Sequence, residues 1–211
     1  MSHVRPSVRV VGEGVVLAEP DDGELSITLT HIGPSPGPAL AEVARRSSRL
    51  LELLDEMGVP GAARSTSGVG VQEEFDYRSE GRHSLGHRAS ATFLVRMTDV
   101  ELIGRVIMRA GEELDASIAG PHWRVSPGHP AWLQVATQAA ANAAEKAAAY
   151  AAGVGMRRGA LVKLSEPRQA IMNHPLGFAR RASAGPDMPV ETGEHAVTAL
   201  VEATFALEPG E

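Results

Sequence analysis

The chain has 211 residues, a formal net charge of −6 at pH 7, 4% aromatic residues and no cysteine. Without cysteine it cannot form disulfides, thiolate nucleophiles or cysteine-based zinc sites. The acidic balance and the few aromatic residues argue against a nucleic-acid partner, because phosphate binding needs a basic surface and base stacking needs aromatic rings. No apolar run approaches the roughly 18 residues of a membrane span, and the N-terminus lacks the apolar core of a signal peptide. We therefore expect a cytoplasmic protein.

Two sequence periods divide the chain into strands and helices. Alternation of apolar and polar residues marks strands, and apolar residues at spacings of three, four and seven mark amphipathic helices. Thr98 and Glu101 have the spacing of a capping box, with Thr98 as the N-cap of the second helix. In chain order, the patterns predict strands over 7–17 and 24–32, a helix over 38–57, strands over 62–77 and 87–97, a helix from 98 to about 110, a strand over 113–125, a helix over 131–153, and strands over 160–166 and 195–207.

The third helix contains the alanine-rich stretch QAAANAAEKAAAYAAG, residues 138–153. At about 100° per residue its polar side chains fall within one arc, which predicts a solvated stripe. The members of this stripe are Gln134, Gln138, Asn142, Glu145 and Lys146. Tyr150 falls on the other side with most of the alanines and is expected to be buried. A face of methyl groups permits close approach to a neighbouring element, so we interpret the helix as a packing surface.

The element order predicts an α+β fold. Residues 24–125 alone give βαββαβ, the ferredoxin-like arrangement, and connection rules favour one antiparallel sheet with both helices on a single face. The remaining elements, from residues 1–23 and 126–211, are expected to form a second sheet-and-helix layer built from both chain ends. We expect these two interlocked subdomains to make up a single domain over 1–211.

Four segments together resemble the SIMPL domain family, a family of unknown function. They are VRVVGEGVVLAEPDDGELSITLT, LGHRASATFLVRMTD, AANAAEKAAAYAAGVGMRRGALVKLSEP and VETGEHAVTALVEATFAL, and they span nearly the whole chain in the family's order. The resemblance implies a SIMPL-like α+β protein of two interlocked parts, self-assembly in several members, and links to stress responses and signalling adaptors. It implies no catalytic residue set. What it carries over is structural: Gly12, Gly14, Pro20, Asp21, Gly86, Gly153 and Gly155.

Two motifs invite a chemical interpretation. Gly12-Glu13-Gly14 lacks the third glycine and the following helix of a dinucleotide site, so a β-bulge or a close crossing of the strand is favoured. His83 and His87 have HxxxH spacing, but they lie on a predicted hairpin, where this spacing does not bring two side chains to one metal ion. We expect them to be solvent-exposed loop histidines.

The carboxylates offer no acid–base pair. Asp21-Asp22, Glu73-Glu74 and Asp76 are near neighbours in sequence, and adjacent residues of a strand point to opposite faces, so solvated charges are expected. No G-x-S-x-G nucleophile motif occurs. The sequence therefore predicts neither a metal nor a cofactor, and identifies no catalytic residue.

The segment 167–190 is long for a connection in a compact domain and mixes apolar residues with arginines. Segments of this length are often functional or disordered. Three interpretations stay open: a mobile surface loop, an arm that packs on a neighbouring subunit, and a lid over an anionic ligand.

Two functional hypotheses follow. The leading one is a non-enzymatic cytoplasmic SIMPL-type protein that forms a homo-oligomer and acts as a self-assembling scaffold or stress-associated factor. The alternative is a small-molecule-binding protein or specialised-pathway enzyme with a pocket between the two layers. Its candidate ligand-binding residues are His87, His122, Trp123, Arg168 and Arg181. A role as an adaptor for a protein partner is implied by the family resemblance alone.

Overall fold

A computed structural model describes residues 6–76, 83–167, 171–176 and 190–210. Its elements, in chain order, are β1 (Ser7–Ala18), β2 (Asp22–Gly33), α1 (Pro36–Glu56), a 3₁₀ turn (Gly61–Ala63), β3 (Arg64–Asp76), β4 (His83–Met97), α2 (Val100–Leu114), β5 (Ser117–Arg124), α3 (Ala131–Gly153), β6 (Met156–Ser165), β7 (Ile171–Leu176) and β8 (Glu194–Pro209). The chain divides into two compact units. We call residues 21–124 and 179–192 the central unit, and residues 1–20, 125–178 and 193–211 the terminal unit.

The central unit is a four-stranded sheet with α1 and α2 packed on it. The strand order is β3-β4-β2-β5 and every neighbouring pair is antiparallel. Each helix therefore connects two strands that flank a third, which is the ferredoxin-like topology. Alternate residues of β2 and β4 point into the core. The fully buried large side chains of this core include Leu25, Ile27, Leu29, Leu50, Leu53, Leu54, Val95, Ile103 and Val106.

The terminal unit is a second antiparallel sheet, built from both chain ends, with α3 on one face. β8 is its central strand, with β1 on one side and both β6 and β7 on the other. β6 pairs with the second half of β8 and β7 with the first half. The predicted α+β class is confirmed, and the two kinds of sequence periodicity account for nearly all of the elements.

The start of α2 differs from the prediction. Its N-cap is Asp99, whose Oδ1 accepts hydrogen bonds from the backbone amides of Glu101 and Leu102 at 2.9 and 3.2 Å. The prediction of Thr98 was wrong. Threonine and aspartate are both good N-caps, so residue type does not separate these adjacent candidates, and the path of the backbone decides between them.

Other boundaries also differ. α2 continues through Gly111 to Leu114, and its C-cap Asp115 has a left-handed conformation with φ of 46°. Within the segment predicted as a 167–190 connection, residues 171–176 form β7, and most of the rest lies outside the described residues. His83 and His87 both lie in β4 and not in a loop.

Candidate functional site

The predicted ligand-binding histidines lie far apart on the central sheet. His87 of β4 is opposite Gly33 of β2, and His122 of β5 is opposite Glu24 of the same strand. Gly33 and Glu24 are nine positions apart, which is roughly 30 Å at the rise of a β-strand. A single small ligand therefore does not contact both histidines.

His122 and Trp123 are also separated, because adjacent residues of β5 point to opposite faces of the sheet. His122 is exposed. Trp123 packs against the core, and its Nε1 donates to the carbonyl oxygen of Glu191 at 2.9 Å. It borders an open cavity of about 460 Å³ with Ile107, Ile118, Pro121 and Val190 among the lining residues. Arg168 and Arg181 lie outside the described residues, so the five-residue ligand set stays a prediction.

In the part of the chain that the structure describes, no three His, Asp or Glu side chains are grouped in a way that could hold a metal ion. No described helix combines the length and apolarity of a transmembrane segment. The edges of the two sheets are further candidates for a binding function.

Sheet edges expose unpaired backbone groups that other strands can join, and proteins protect them with proline, charged residues, bulges or covering elements. The edge strand β5 is short, contains Pro121 and has a bulge between its pairs with Glu24 and Ser26. The edge strand β6 carries Arg157 and Lys163 and two register shifts against β8. Both edges are therefore protected by the usual means.

The free edge of β1 is protected in another way, by side chains of α3. Gln138 and Asn142 accept hydrogen bonds from the backbone amides of Val15 and Glu13, at 3.2 and 3.1 Å. Lys146 donates from Nζ to the carbonyl oxygen of Val11 at 3.0 Å. These three residues belong to the predicted solvated stripe, and Gln138 and Lys146 are indeed exposed; what the prediction missed is that all three also bind the backbone of an edge strand.

Two glycines bring α3 close enough for these bonds. A Cβ atom at Gly12 would lie 2.1 Å from the carbonyl oxygen of Ala139, and one at Gly14 would lie 2.3 Å from that of Val135. The sequence favoured a bulge or a close strand crossing at this motif, and the element that approaches closely is instead the helix α3. No bulge occurs, since β1 and β8 pair in unbroken register from Ser7 to Ala18.

Tyr150 departs from the prediction that it is buried. Its side chain is 63% exposed, whereas Ala143, Ala147 and Ala151 are fully buried. The buried row steps by four residues, or about 400°, so it drifts around the helix by about 40° per step. The prediction assigned one fixed arc of the helix to the buried face, and the buried row moves out of that arc over six turns. Tyr150 lies in line with the row of side chains that covers the edge of β1.

The outer edge of β3 is less protected in the described part of the chain: β3 has register shifts against β4 between Thr66 and Gly68 and between Glu74 and Phe75, but the segment between these two shifts is regular. All residues from 65 to 73 are exposed, and the strand contains neither proline nor lysine. Val69 is 65% exposed, and no atom lies within 4 Å of a Cβ built at Gly68 or Gly70. Among the described strands, β4 alone pairs with β3.

Both ends of β3 are held in place. The guanidinium of Arg64 binds the carbonyl oxygen of Leu51 at 2.9 Å and pairs with Asp55, which ties the start of β3 to α1. Near the other end, Arg88 binds both carboxylate oxygens of Glu74 at 2.8 and 2.9 Å. These hydrogen bonds lower the pKa of the Glu74 carboxyl, so the pair stays charged at neutral pH. The result is a fixed strand whose outer edge pairs with no other described strand.

A comparison with protein families decides the classification. The family model named SIMPL, which is described as a protein of unknown function (DUF541), matches residues 8–205 of the chain. The chain belongs to the SIMPL family. The resemblance predicted from the four sequence segments is therefore confirmed.

Two curated proteins are similar to this SIMPL chain over most of their length. They are the 26 kDa periplasmic immunogenic proteins of Brucella melitensis biotype 1 and Brucella abortus strain S19. Each is 23% identical over 213 residues, which covers 95% of this chain and 84% of the relative.

These relatives correct the expected location. Both are named as periplasmic, which contradicts the cytoplasmic address and, with it, the hypothesis of a cytoplasmic scaffold or stress factor. The expectation rested on composition and on the pattern of the first residues, and neither reflects the relationship to periplasmic proteins that the whole chain shows.

Proposed function

We propose that this SIMPL protein works in the periplasm as a homo-oligomer whose subunits pair through β3. The periplasmic address is supported by the names of its relatives. The observation that supports self-association is the thirteen-residue edge of β3, exposed from 65 to 73 and anchored at both ends. A pre-formed edge strand adds another strand without reorganising its own backbone.

The partner that fits this edge is a second copy of the same strand. Gly70 is the midpoint of Arg64–Asp76, and the residues nearest a twofold axis at Gly70, from Gly68 to Gln72, lie in the part of β3 that pairs with β4 without a register shift. In this register Val69 of one copy lies opposite Val71 of the other. Both valines are exposed in the single chain, and pairing buries them against each other at the centre of the contact.

The charges of β3 favour this register. With the axis at Gly70, Glu73 and Glu74 lie near Ser67 and Thr66, at the register shift of the other copy, and Asp76 lies near Arg64, so no acidic residue faces another acidic residue. A shift of the axis toward the C-terminal end of the strand would place acidic residues of the two copies opposite each other, which is destabilising. A twofold contact of this kind is closed and gives a defined dimer.

Exchanging charges at the central pair tests the proposal. The double variant Val69→Lys/Val71→Lys places like charges opposite each other, and we expect the dimer dissociation constant to rise at least tenfold, or about 1.4 kcal/mol. The variant Val69→Lys/Val71→Glu places opposite charges together, and we expect dimerisation to return. Sedimentation velocity over a concentration series measures both. Val162→Lys is the matched control, because Val162 is 66% exposed on the edge strand β6.

Each outcome has a distinct meaning. A wild-type chain that stays monomeric at every concentration refutes self-association. An oligomer that tolerates both lysines refutes β3 as the contact. Loss of the dimer in both double variants refutes the register centred on Gly70 while leaving β3 as the contact.

A further inference from the structure

The helix α3 follows β1 as a neighbouring strand would. Its contact residues Gln138, Asn142 and Lys146 recur every four positions, and the β1 groups that they bind recur every two, at Val15, Glu13 and Val11. Four helical residues rise about 6 Å and two strand residues about 6.6 Å. The two spacings match closely enough for three successive hydrogen bonds.

The chemistry of the three side chains matches the backbone groups that they meet. Two amide oxygens receive the N–H groups of Val15 and Glu13, and one ammonium group donates to the carbonyl oxygen of Val11. A paired antiparallel strand would bind both the N–H and the C=O group of Val11, Glu13 and Val15. The side chains of α3 therefore occupy three of the six hydrogen-bonding positions that such a strand would use.

We infer that β1 is a second strand-pairing edge of this chain, which the side chains of α3 keep closed. Because the β1 edge is closed, a strand of a second copy pairs with β3 instead; this consequence rests on the proposed function. The closure itself is independent of it, because it follows from contacts within the terminal unit.

The occupant of an opened β1 edge is the β1 strand of a second copy. In an antiparallel pair with its axis at Val11, Arg9 of each copy lies opposite Glu13 of the other, so the contact is complementary in charge. Arg9 already pairs with Glu202 at 3.4 Å, but its side chain is 61% exposed, and exposed pairs contribute little stability. Arg9 is therefore available to a new partner.

Truncating the three side chains tests the closure. The variant Gln138→Ala/Asn142→Ala/Lys146→Ala keeps the helix, because alanine is the strongest helix former, and leaves the alanine–glycine contact unchanged. We expect the amides of Glu13 and Val15 to exchange hydrogen at least tenfold faster than in the wild type, measured by NMR. The control Gln134→Ala/Thr137→Ala/Glu145→Ala alters exposed positions of the same helix and should leave both rates unchanged. Unchanged rates in the first variant would overturn the inference.

A second measurement tests the occupant and separates it from the proposed function. Both triple variants are placed in the background Val69→Lys/Val71→Lys, in which pairing through β3 is blocked, and their masses are measured by light scattering. We expect the α3 truncation to restore a concentration-dependent dimer and the control to remain monomeric. A folded truncation variant that stays monomeric, shown by circular dichroism, refutes β1 pairing whether or not β3 mediates assembly in the wild type.

Discussion

Asn142 accepts a hydrogen bond from the backbone amide of Glu13, with 3.1 Å between its Oδ1 and the amide nitrogen. The two residues are 129 positions apart in the sequence. Their contact shows that the polar row of α3 is more than a solvated face, because its members bind backbone groups on the free edge of β1. The same row therefore covers part of that edge.

A side chain at position 12 should disrupt the terminal unit. In Gly12→Ala the new Cβ would lie 2.1 Å from the carbonyl oxygen of Ala139 and 2.7 Å from the Cβ of Ala143, so α3 must move away from β1. We expect a loss of at least about 2 kcal/mol in the free energy of unfolding, measured by urea denaturation. Gly68→Ala is the matched strand control, since its Cβ meets no atom within 4 Å. An equal loss of stability in Gly68→Ala would show that the loss in Gly12→Ala does not come from contact with α3.

Enlarging the buried face of α3 should have a similar effect. Ala143 is fully buried, and Ala143→Leu should cost roughly 1–3 kcal/mol through overpacking. Ala148 is exposed on the same helix, so Ala148→Leu should change the free energy of unfolding by less than about 0.5 kcal/mol. A neutral Ala143→Leu would show that the alanines reflect helix propensity and not close packing.

The cap of α2 separates two adjacent candidates. Asp99→Ala removes the acceptor for the amides of Glu101 and Leu102, and we expect it to cost about 1 kcal/mol. Thr98→Ala removes a side chain that was predicted to cap the helix but does not, and it should be nearly neutral. Thermal unfolding of both variants in one buffer decides between them, and a larger effect at Thr98 would contradict the structure.

His195 should make the protein less stable in mild acid. Its side chain is 6% exposed in β8, and burial lowers its pKa from the ordinary value of 6.5. The unfolded chain therefore binds a proton more readily than the folded one as the pH falls through about 6.5, so the free energy of unfolding decreases there. His195→Gln should flatten this slope between pH 7.5 and 5.5 in urea titrations. A slope unchanged by the substitution would assign the acid sensitivity to other groups.

The sequence was sufficient for the parts of this fold that follow from local patterns. Alternation in β2 and the apolar stripe of α1 predicted both elements, and the order of elements predicted the ferredoxin-like unit. Gly12 and Gly14 indicated a close approach because a strand interior otherwise avoids glycine. These features depend on residues near one another in the chain.

The candidate site could not be predicted in the same way. The role of Gln138, Asn142 and Lys146 depends on a strand more than 120 positions away, and a polar row that faces water has the same helical pattern. Whether another strand pairs with the outer edge of β3 depends on the order of the strands in the sheet, which is a property of the topology and not of the local sequence. The signal that was available is compositional: β3 has exposed valines and glycines, but no lysine or proline.

Disulfide trapping at the proposed twofold axis tests β3 pairing most directly, because the chain has no native cysteine. Facing residues of an antiparallel pair have Cα atoms about 4.5–5.5 Å apart, within the range of a disulfide. With the axis at Gly70, the single variant Gly70→Cys should form a covalent dimer under mild oxidation, whereas Ser67→Cys and Val162→Cys should not. Efficient dimer formation by Gly70→Cys alone is the predicted result; a folded Gly70→Cys chain that stays monomeric, or equal trapping at all three positions, would contradict it.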